Sequence, residues 1–169
     1  MSDPLADAIS AADRKFRGDA ARARATFTSE SRLGAGFRSD VSLRGHALTV
    51  DEPHGIGGGD AGPTPVELVL AALGTCQEIT YRAFATALSI PLAGVAVTVE
   101  GDIDFRGFFA IDEAIRPGFE RMRVSVKLTS TADDQALQRL VDIVNRHCPV
   151  LDMLTTPVPV TTTMSRVAG

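Results

Sequence analysis

The sequence lacks several features that would assign it to a function class at once. Its longest strongly apolar run, residues 68–73, is far too short to cross a bilayer. The first five residues lack the basic start and apolar stretch of a secretory signal, so we expect a cytoplasmic protein with no membrane partner. A net charge of -4 gives no electrostatic reason to expect a nucleic-acid partner.

Signatures of metal binding and of serine nucleophiles are also missing. His46, His54 and His147 share no close spacing, and neither cysteine has a second cysteine nearby. No Gly-x-Ser-x-Gly elbow occurs, and the glycine-rich stretch 53–63 matches neither a phosphate-binding loop nor a dinucleotide fingerprint. We therefore expect no metal and no cofactor, and we interpret residues 53–63 as a flexible connector.

What is present fits an ordinary α+β protein of one domain with a short extension. The chain has 169 residues, of which 44% are hydrophobic and 22% charged. Residues 4–21 alternate apolar and charged side chains at helical spacing, so we predict an N-terminal helical arm over 1–22 and a main domain over 23–169. The basic cluster 14–24 is interrupted by Asp19 and indicates a solvated helix face.

The main domain alternates between strand and helix patterns. Thr131 and Asp134 indicate the start of a helix that ends near His147, and a further short helix follows Cys148. Period-two alternation or β-rich composition predicts strands over 23–32, 36–43, 46–51, 94–105, 120–129 and 158–164.

The clearest helix signal is Thr64-Pro65-Val66-Glu67. Thr64 can cap the helix, Pro65 suits its first position, and Glu67 completes a capping box. The helix should run to about Leu88, and its centre is apolar almost all round, which is typical of a buried helix. Because so short a chain can hardly cover such a helix, we expect a homodimer in which two of these helices pack together.

The two cysteines, Cys76 and Cys148, differ in their predicted surroundings. They could be two unrelated buried residues, since free cysteine packs like a small hydrophobe. Pro149 places Cys148 at a helix start, where the partial positive charge lowers the pKa of a thiol. Cys76 lies inside the apolar helix, which raises its pKa unless the fold supplies a cation such as Arg82, Arg38 or Arg32.

Taken together, the motifs resemble the OsmC/Ohr family over residues 23–166. The motifs are the glycine-rich loop, the Gly-Pro-Thr-Pro-Val-Glu-Leu start of the long helix, its Leu-Gly-Thr-Cys segment, and the distant His-Cys-Pro-Val with Thr156-Pro157-Val158-Pro159-Val160. The resemblance implies an OsmC-like α+β fold: an intertwined homodimer with two long central helices wrapped by antiparallel β-sheets, and active sites at the subunit interface.

The resemblance also implies a thiol peroxidase. In this mechanism Cys76 attacks an organic hydroperoxide and becomes a sulfenic acid, and Cys148 then condenses with it to a disulfide. A small dithiol, such as that of a lipoylated protein, restores both thiols. These roles differ from the local argument, which gives the lower thiol pKa to Cys148.

The sequence departs from the peroxidase branch at the residues that accompany the cysteines. Val66 occupies the position of the usual glutamate, while Glu67, one residue later, points about 100° away and suits a capping role better. Arg32 and Arg38 are the candidates for the accompanying arginine, with Arg44 third. Finally, Phe105, Phe108 and Phe109 could form the wall of a pocket, although ordinary core positions are the favoured interpretation.

Two alternatives to the peroxidase stay open at this point. The dimer could be a non-catalytic redox sensor or small-ligand-binding protein that has lost efficient turnover, as the misplaced glutamate suggests. A thiol-dependent hydrolase or transferase that uses one cysteine alone is the third alternative. The effect of replacing each cysteine separately distinguishes the three.

Overall fold

A computed structural model describes residues 3–167 and contains five α-helices and five β-strands in that range. The predicted arm is helical, the predicted long helix is present almost over its full length, and a 3-10 turn at Ala20–Ala23 connects the arm to the domain. The elements in chain order are α1 Pro4–Gly18, β1 Ser29–Leu33, β2 Ser39–Leu43, β3 His46–Val50, α2 Pro65–Ala87, β4 Gly94–Asp102, α3 Phe105–Phe108, β5 Arg121–Thr129, α4 Asp134–His147 and α5 Pro149–Thr155.

The strands form two separate antiparallel sheets. The first has the order β1-β2-β3, with Val41 opposite Ser31 on one side and Leu48 on the other. The second consists of β4 and β5, with Val97 opposite Val126. Both follow from the alternating patterns in the sequence, although nothing in those patterns states which strands share a sheet.

The core lies where α2 packs against β4 and α4. Tyr81, Ala85, Leu92, Leu140 and Val144 form its centre, and each is at most 8% exposed. Burying a leucine or valine side chain of this kind contributes about 1.5–3 kcal/mol. This cluster therefore anchors the middle and end of α2, the helix that carries Cys76.

The opposite face of α2 is open in the single chain. Ile79 is 70% exposed, and Ala71, Ala72 and Thr75 along the same face are exposed as well. The prediction that this helix is buried all round thus holds for one face only, because one chain supplies only enough side chains to cover that face. The arm helix α1 packs against α2, but none of its described residues is buried.

The three-stranded sheet also lacks a cover within one chain. All five residues of β1 are exposed, and Leu33, Phe37 and Leu43 are 69%, 51% and 39% exposed. In the described range, β1, β2 and β3 make extensive element contacts only with one another. One side of this sheet consequently presents apolar side chains that the chain itself does not bury.

Three predicted elements differ from the structure. The strand predicted over 23–32 forms only over Ser29–Leu33. Within the described residues, 158–164 form no strand, and Val160 and Met164 are 85% and 87% exposed. A strand needs a hydrogen-bonded neighbour, and no neighbour in the same chain meets this segment. The cap of α4 is Asp133, whose side chain accepts a hydrogen bond from the Ala136 N–H, rather than Thr131.

The glycine-rich stretch is fixed in place, so its interpretation as a flexible connector is wrong. The carboxylate of Asp51, 3% exposed at the end of β3, accepts hydrogen bonds from the N–H groups of Glu52 at 2.8 Å, Gly59 at 3.0 Å and Ala61 at 3.2 Å. A Cβ at Gly58 would overlap the backbone of Glu52. The loop N–H groups are therefore already engaged by the chain's own carboxylate.

No helix within residues 3–167 combines the length and the apolar character that crossing a membrane requires. The longest helix, α2, has 23 residues but carries Glu67, Gln77, Glu78 and Arg82. Its polar residues instead make contacts inside the fold, as described below.

Candidate thiol site

The capping residues at the start of α2 determine where this helix begins. Thr64 caps it by accepting a hydrogen bond from the Glu67 N–H at 3.2 Å, and the Glu67 carboxylate accepts one from the Thr64 N–H at 2.8 Å. The predicted capping box is thus present. Cys76 follows three turns later and is half-buried, on the side of α2 next to α5.

The second cysteine lies at the junction of two helices. Cys148 ends α4, where its N–H donates to the Val144 carbonyl at 2.9 Å, and it is the N-terminal cap residue of α5. Pro149 occupies the first position of α5, as the Cys-Pro pair predicts. The Cys148 side chain is only 1% exposed, so solvent reaches Cys76 more readily than Cys148.

The packing of α5 on α2 brings the two thiols together. Both cysteines are free, and the Cys148 thiol lies close enough to the Cys76 thiol to interact with it, although the residues are far apart in sequence. Two unrelated buried cysteines would have no reason to meet in this way. The described residues therefore contain a thiol pair in direct contact, with one member sheltered and the other partly open.

The pKa of Cys148 is higher than that of an ordinary thiol, contrary to the prediction from its position at a helix start. Burial raises this pKa most, and the contact with Cys76 adds to the effect. Hydrogen bonds from the N–H groups of Leu151 and Val150 lower it, but they do not compensate for burial. The physical reason for the wrong prediction is long-range packing, which the local Cys-Pro signal does not report.

Two of the candidate cations hold other partners in the single chain. Arg38 forms an exposed ion pair with Asp40 at 3.0 Å, and Arg82 donates to the Leu92 carbonyl at 2.5 Å. Arg32 lies on the fully exposed strand β1, and Arg44 occupies the turn between β2 and β3 with a φ of 57°. None of the four guanidiniums shows a contact with either thiol in the described part of the chain.

The polar residues that flank Cys76 were missed by sequence reasoning. Glu78 accepts a hydrogen bond from the Val97 N–H at 3.3 Å, and with Arg82 it ties α2 to the edge of β4. Gln77 is 3% exposed, and its Oε1 atom has no hydrogen-bond partner among the described residues. The only sequence signal for these residues is their polarity in the middle of an apolar helix.

The histidines occupy separate places. His54 Nδ1 lies 3.0 Å from the Gly58 carbonyl, and the His147 ring lies 5.5 Å from Phe84. Within residues 3–167, no group of three histidine, cysteine, aspartate or glutamate side chains is arranged to hold a metal ion.

The three phenylalanines near α3 are not core residues in the single chain. Phe105, Phe108 and Phe109 are 43%, 57% and 50% exposed, so their favoured interpretation as ordinary core is wrong. The segment that carries them lies between β4 and β5, and none of the three rings belongs to the cluster around Tyr81.

Comparisons with known proteins identify the family of this chain. The family model described as OsmC-like protein matches residues 57–163, which is more than half of the chain and includes both cysteines. No curated protein matches the sequence. The predicted resemblance to the OsmC/Ohr family is therefore confirmed at the level of the family.

Solved structures share this fold at low sequence identity. An OsmC-like protein from Mycoplasma pneumoniae is 16% identical, with a TM-score of 0.68 over 79% of this chain and 89% of that one. An organic hydroperoxide resistance protein OsmC from Legionella pneumophila is 21% identical, with a TM-score of 0.58 over 78% and 90%. One from Elizabethkingia anophelis is 17% identical, with a TM-score of 0.61 over 79% and 91%. With its predicted α+β fold confirmed, the chain belongs to the OsmC-like protein family.

Proposed function

We propose that the protein is a thiol peroxidase that reduces organic hydroperoxides through Cys76 and Cys148. The observation that carries this proposal is the direct contact between a half-buried and a buried thiol. Two similar structures are named organic hydroperoxide resistance proteins, which is consistent with the same chemistry. A cytoplasmic location, where cellular thiols stay reduced, completes the proposal.

The different burial of the two thiols supports distinct roles for the cysteines. Because Cys148 is buried and its pKa is raised, it stays protonated and can donate its S–H to the sulfur of Cys76. Cys76, the more accessible of the two, is therefore the candidate nucleophile, and Cys148 is the candidate resolving thiol.

The reaction balances with these two residues and a dithiol. The Cys76 thiolate attacks the outer oxygen of the hydroperoxide, an S–O bond forms, the O–O bond breaks, and the alkoxide leaves as the alcohol after taking a proton. The Cys148 sulfur then attacks Cys76, a disulfide forms, and water leaves. A dithiol reductant, such as a lipoylated protein, then reduces this disulfide by thiol–disulfide exchange and is itself oxidised to a disulfide.

The uncovered surfaces support a homodimer as the working form. The open face of α2 around Ile79, the apolar side of the β1–β3 sheet and the segment 157–167 all expose large apolar side chains, as the surfaces of a subunit interface do. Small residues along α2 allow a second helix to approach closely. A partner chain would also be the source of a cation for Cys76, with Arg38 and Arg32 as the candidates.

Glu67 is a weaker candidate for a supporting role. Its carboxylate is engaged in the capping box at the first turn of α2. Within one chain it is separated from Cys76 by nine residues of helix, or about 13–14 Å. Any part in the chemistry would require contact with the thiol site of the partner chain.

The first experiment is a free-thiol count on the reduced protein before and after one equivalent of cumene hydroperoxide. We expect rapid loss of both thiols in the wild type, no reaction in Cys76→Ser, and a trapped sulfenic acid in Cys148→Ser. Both thiols surviving in the wild type would exclude the peroxidase. Turnover of an ester or thioester that persists in Cys148→Ser but is lost in Cys76→Ser would instead support the single-cysteine hydrolase or transferase.

A non-catalytic redox sensor is the second candidate because Val66 replaces the usual glutamate and no candidate arginine contacts a thiol within the described chain. Arg38 in particular is paired with Asp40. A sensor would form the same disulfide once per oxidation but would turn over slowly. The steady-state rate with dihydrolipoamide as reductant separates the sensor from the enzyme.

A further inference from the structure

The last described segment of the chain, residues 157–167, has no partner within the chain. Every residue in it is exposed, and none of them forms a hydrogen bond with the other described residues. Over 158–164 the large apolar side chains stand at even-numbered positions: Val158, Val160 and Met164 are 52%, 85% and 87% exposed. This parity is typical of a β-strand with one apolar side. The single chain provides no surface for that side to cover.

Two prolines determine which edge of such a strand can pair. In a β-strand the backbone groups of successive residues point to opposite edges. Pro157 and Pro159 have no N–H, and both belong to the odd-numbered edge. Within sheets, proline is confined to positions whose N–H side faces solvent. The segment can therefore pair through its even-numbered edge only, with the N–H groups of Val160, Thr162 and Met164, and it can only be an outermost strand.

The sheet of β1, β2 and β3 has one closed edge and one open edge. The glycine-rich loop runs beside β3: the Asp51 N–H donates to the Pro63 carbonyl at 3.4 Å, and a Cβ at Gly62 would lie 2.2 Å from the Thr49 carbonyl oxygen. At the opposite edge all residues of β1 are exposed, and in the described chain β1 makes extensive contacts with β2 alone. This sheet can therefore gain a strand only at β1.

The hairpin between β1 and β2 shows which backbone groups of β1 are available. The Gly34 N–H donates to the Arg38 carbonyl at 2.8 Å, so the even-numbered residues of β1 point toward β2. The backbone groups of Ser29, Ser31 and Leu33 consequently point away from β2. They form a row of donors and acceptors at the open edge, which is the template that an added strand requires.

The side chains select antiparallel pairing at this edge. Ser31 stands opposite Val41, and Val41 stands opposite Leu48, so the residues of the open edge lie on the apolar face of the sheet. In an antiparallel pair, residues whose backbone groups meet stand opposite each other and share a face, which places Val160 on this apolar face. Parallel pairing would place Val160 on the other face, together with Arg32. Only the antiparallel strand therefore joins apolar side chains to apolar side chains.

Within one chain the segment and the open edge of β1 stay apart. The segment follows α5, whose Leu154 and Thr155 line a cavity with Met122 of the other sheet. One chain thus leaves a one-sided strand without a sheet and a sheet edge without a strand. A second copy of the chain satisfies both, and the symmetry of a twofold dimer makes the same pairing twice.

We propose that residues 158–164 of one chain pair with β1 of a second copy as an antiparallel edge strand, and that the second copy does the same in return. This pairing rests on the proposed homodimer and adds the segment that joins the two chains. Main-chain hydrogen bonds would hold the strand, as in other cases of strand addition to a sheet edge, and the alternate apolar side chains would set its register.

Three consecutive threonines provide matched variants for the test. Thr162→Pro removes an N–H from the pairing edge, whereas Thr161→Pro and Thr163→Pro each remove one from the edge that already contains two prolines. Thr162→Pro should raise the Kd of the reduced, full-length dimer roughly five- to a hundredfold, because one main-chain hydrogen bond is lost at each of two symmetric sites. The Kd of both control variants should stay within about twofold of the wild type. Sedimentation velocity over a dilution series measures these values.

Amide hydrogen exchange followed by NMR locates the edge to which the strand adds. The Ser31 N–H points away from β2, so it is protected only if another strand covers it. Its exchange in the wild-type dimer should be roughly tenfold slower than in Thr162→Pro at the same protein concentration, and Thr163→Pro should match the wild type. The Arg32 N–H, which points toward β2, is the internal control for an intact hairpin and should stay protected in every variant.

The outcomes separate this pairing from the homodimer itself. A monomeric wild type would overturn both. A dimeric wild type in which Thr162→Pro and Thr163→Pro have the same Kd would overturn the pairing and leave the homodimer standing. Fast exchange of the Ser31 N–H in a stable wild-type dimer would also overturn it, since the segment would then add to a different edge, such as that of β5. The free-thiol count tests the peroxidase reaction separately.

Discussion

Asp51 shows how a single carboxylate can organise a loop. It accepts three backbone hydrogen bonds from the loop that leads into α2, and the first of them, from Glu52, lowers its pKa most. The contribution of a lowered pKa is fully present above the value of an unfolded aspartate, about 3.9, and is lost as the pH falls toward the folded value. Protonation of Asp51 at acid pH should therefore loosen this loop.

We expect Asp51→Ala to lower the Tm at pH 7 and to flatten the fall of Tm between pH 5 and pH 3. The matched control is Asp60→Asn in the same loop, since Asp60 is exposed and has a φ of 53°, a conformation that asparagine tolerates. Scanning calorimetry at several pH values measures both effects. An unchanged pH profile in Asp51→Ala would mean that the carboxylate does not hold the loop.

At the scale of one element, the capping box at the start of α2 separates a structural from a chemical role for Glu67. Thr64→Ala removes the side chain that accepts the Glu67 N–H and should cost about 1 kcal/mol in the free energy of unfolding. Glu67→Gln keeps an oxygen that can accept from the Thr64 N–H but removes the charge. Its unfolding free energy should therefore stay within about 0.5 kcal/mol of the wild type.

Urea unfolding at one fixed protein concentration measures both variants, because oligomer stability depends on concentration. The rate of thiol loss with cumene hydroperoxide is followed in parallel. If Glu67 is only a cap, Glu67→Gln reacts at the wild-type rate. If Glu67→Gln is as stable as the wild type but its thiols react more slowly, the carboxylate takes part in the chemistry at the partner's thiol site.

The sequence predicted the helices and strands whose formation depends on residues close together in the chain. The start of α2 at Thr64-Pro65, the Cys-Pro start of α5 and the alternating strand β5 all form where they were expected. Long-range packing decided the rest. The raised pKa of Cys148 arises from burial against residues distant in the chain, and the segment 158–164 has no strand neighbour within the described chain.

Some residues of the candidate site could likewise be predicted from the sequence, and others could not. The two cysteines were identified from motifs, and the structure brings them into contact. The sequence did not identify the cation that would activate Cys76. Which arginine approaches this thiol depends on how distant elements pack together and, in a dimer, on how the two chains pack. The buried Gln77 beside Cys76 gave only a weak signal, one polar residue within an apolar helix.

At the scale of the whole molecule, the open face of α2 predicts how the dimer can be disrupted. Ile79→Glu places a charge at the 70% exposed position on this face, where a partner helix would have to bury it. An unpaired buried charge costs more than the roughly 1.4 kcal/mol that corresponds to a tenfold change in affinity. We expect a monomer at micromolar concentrations where the wild type is a dimer.

Light scattering after size-exclusion chromatography measures the mass of each species. Ile111→Glu is the matched control, because Ile111 is 72% exposed but lies on the segment between α3 and β5 rather than on α2. The control should keep the mass of the wild type. A wild type of monomeric mass, or an Ile79→Glu variant that stays dimeric, would contradict the proposed interface.

The contact between Cys76 and Cys148 spans 72 residues of chain, and this length has a mechanical consequence. A disulfide there would link the middle of the longest helix to the start of the last one and would close about half of the domain into a single covalent ring. In the chain-entropy account, a ring of this size disfavours the unfolded ensemble by about 4 kcal/mol. The oxidised protein would thus be more stable to unfolding than the reduced one. The disulfide form would persist until a reductant cleaves the disulfide.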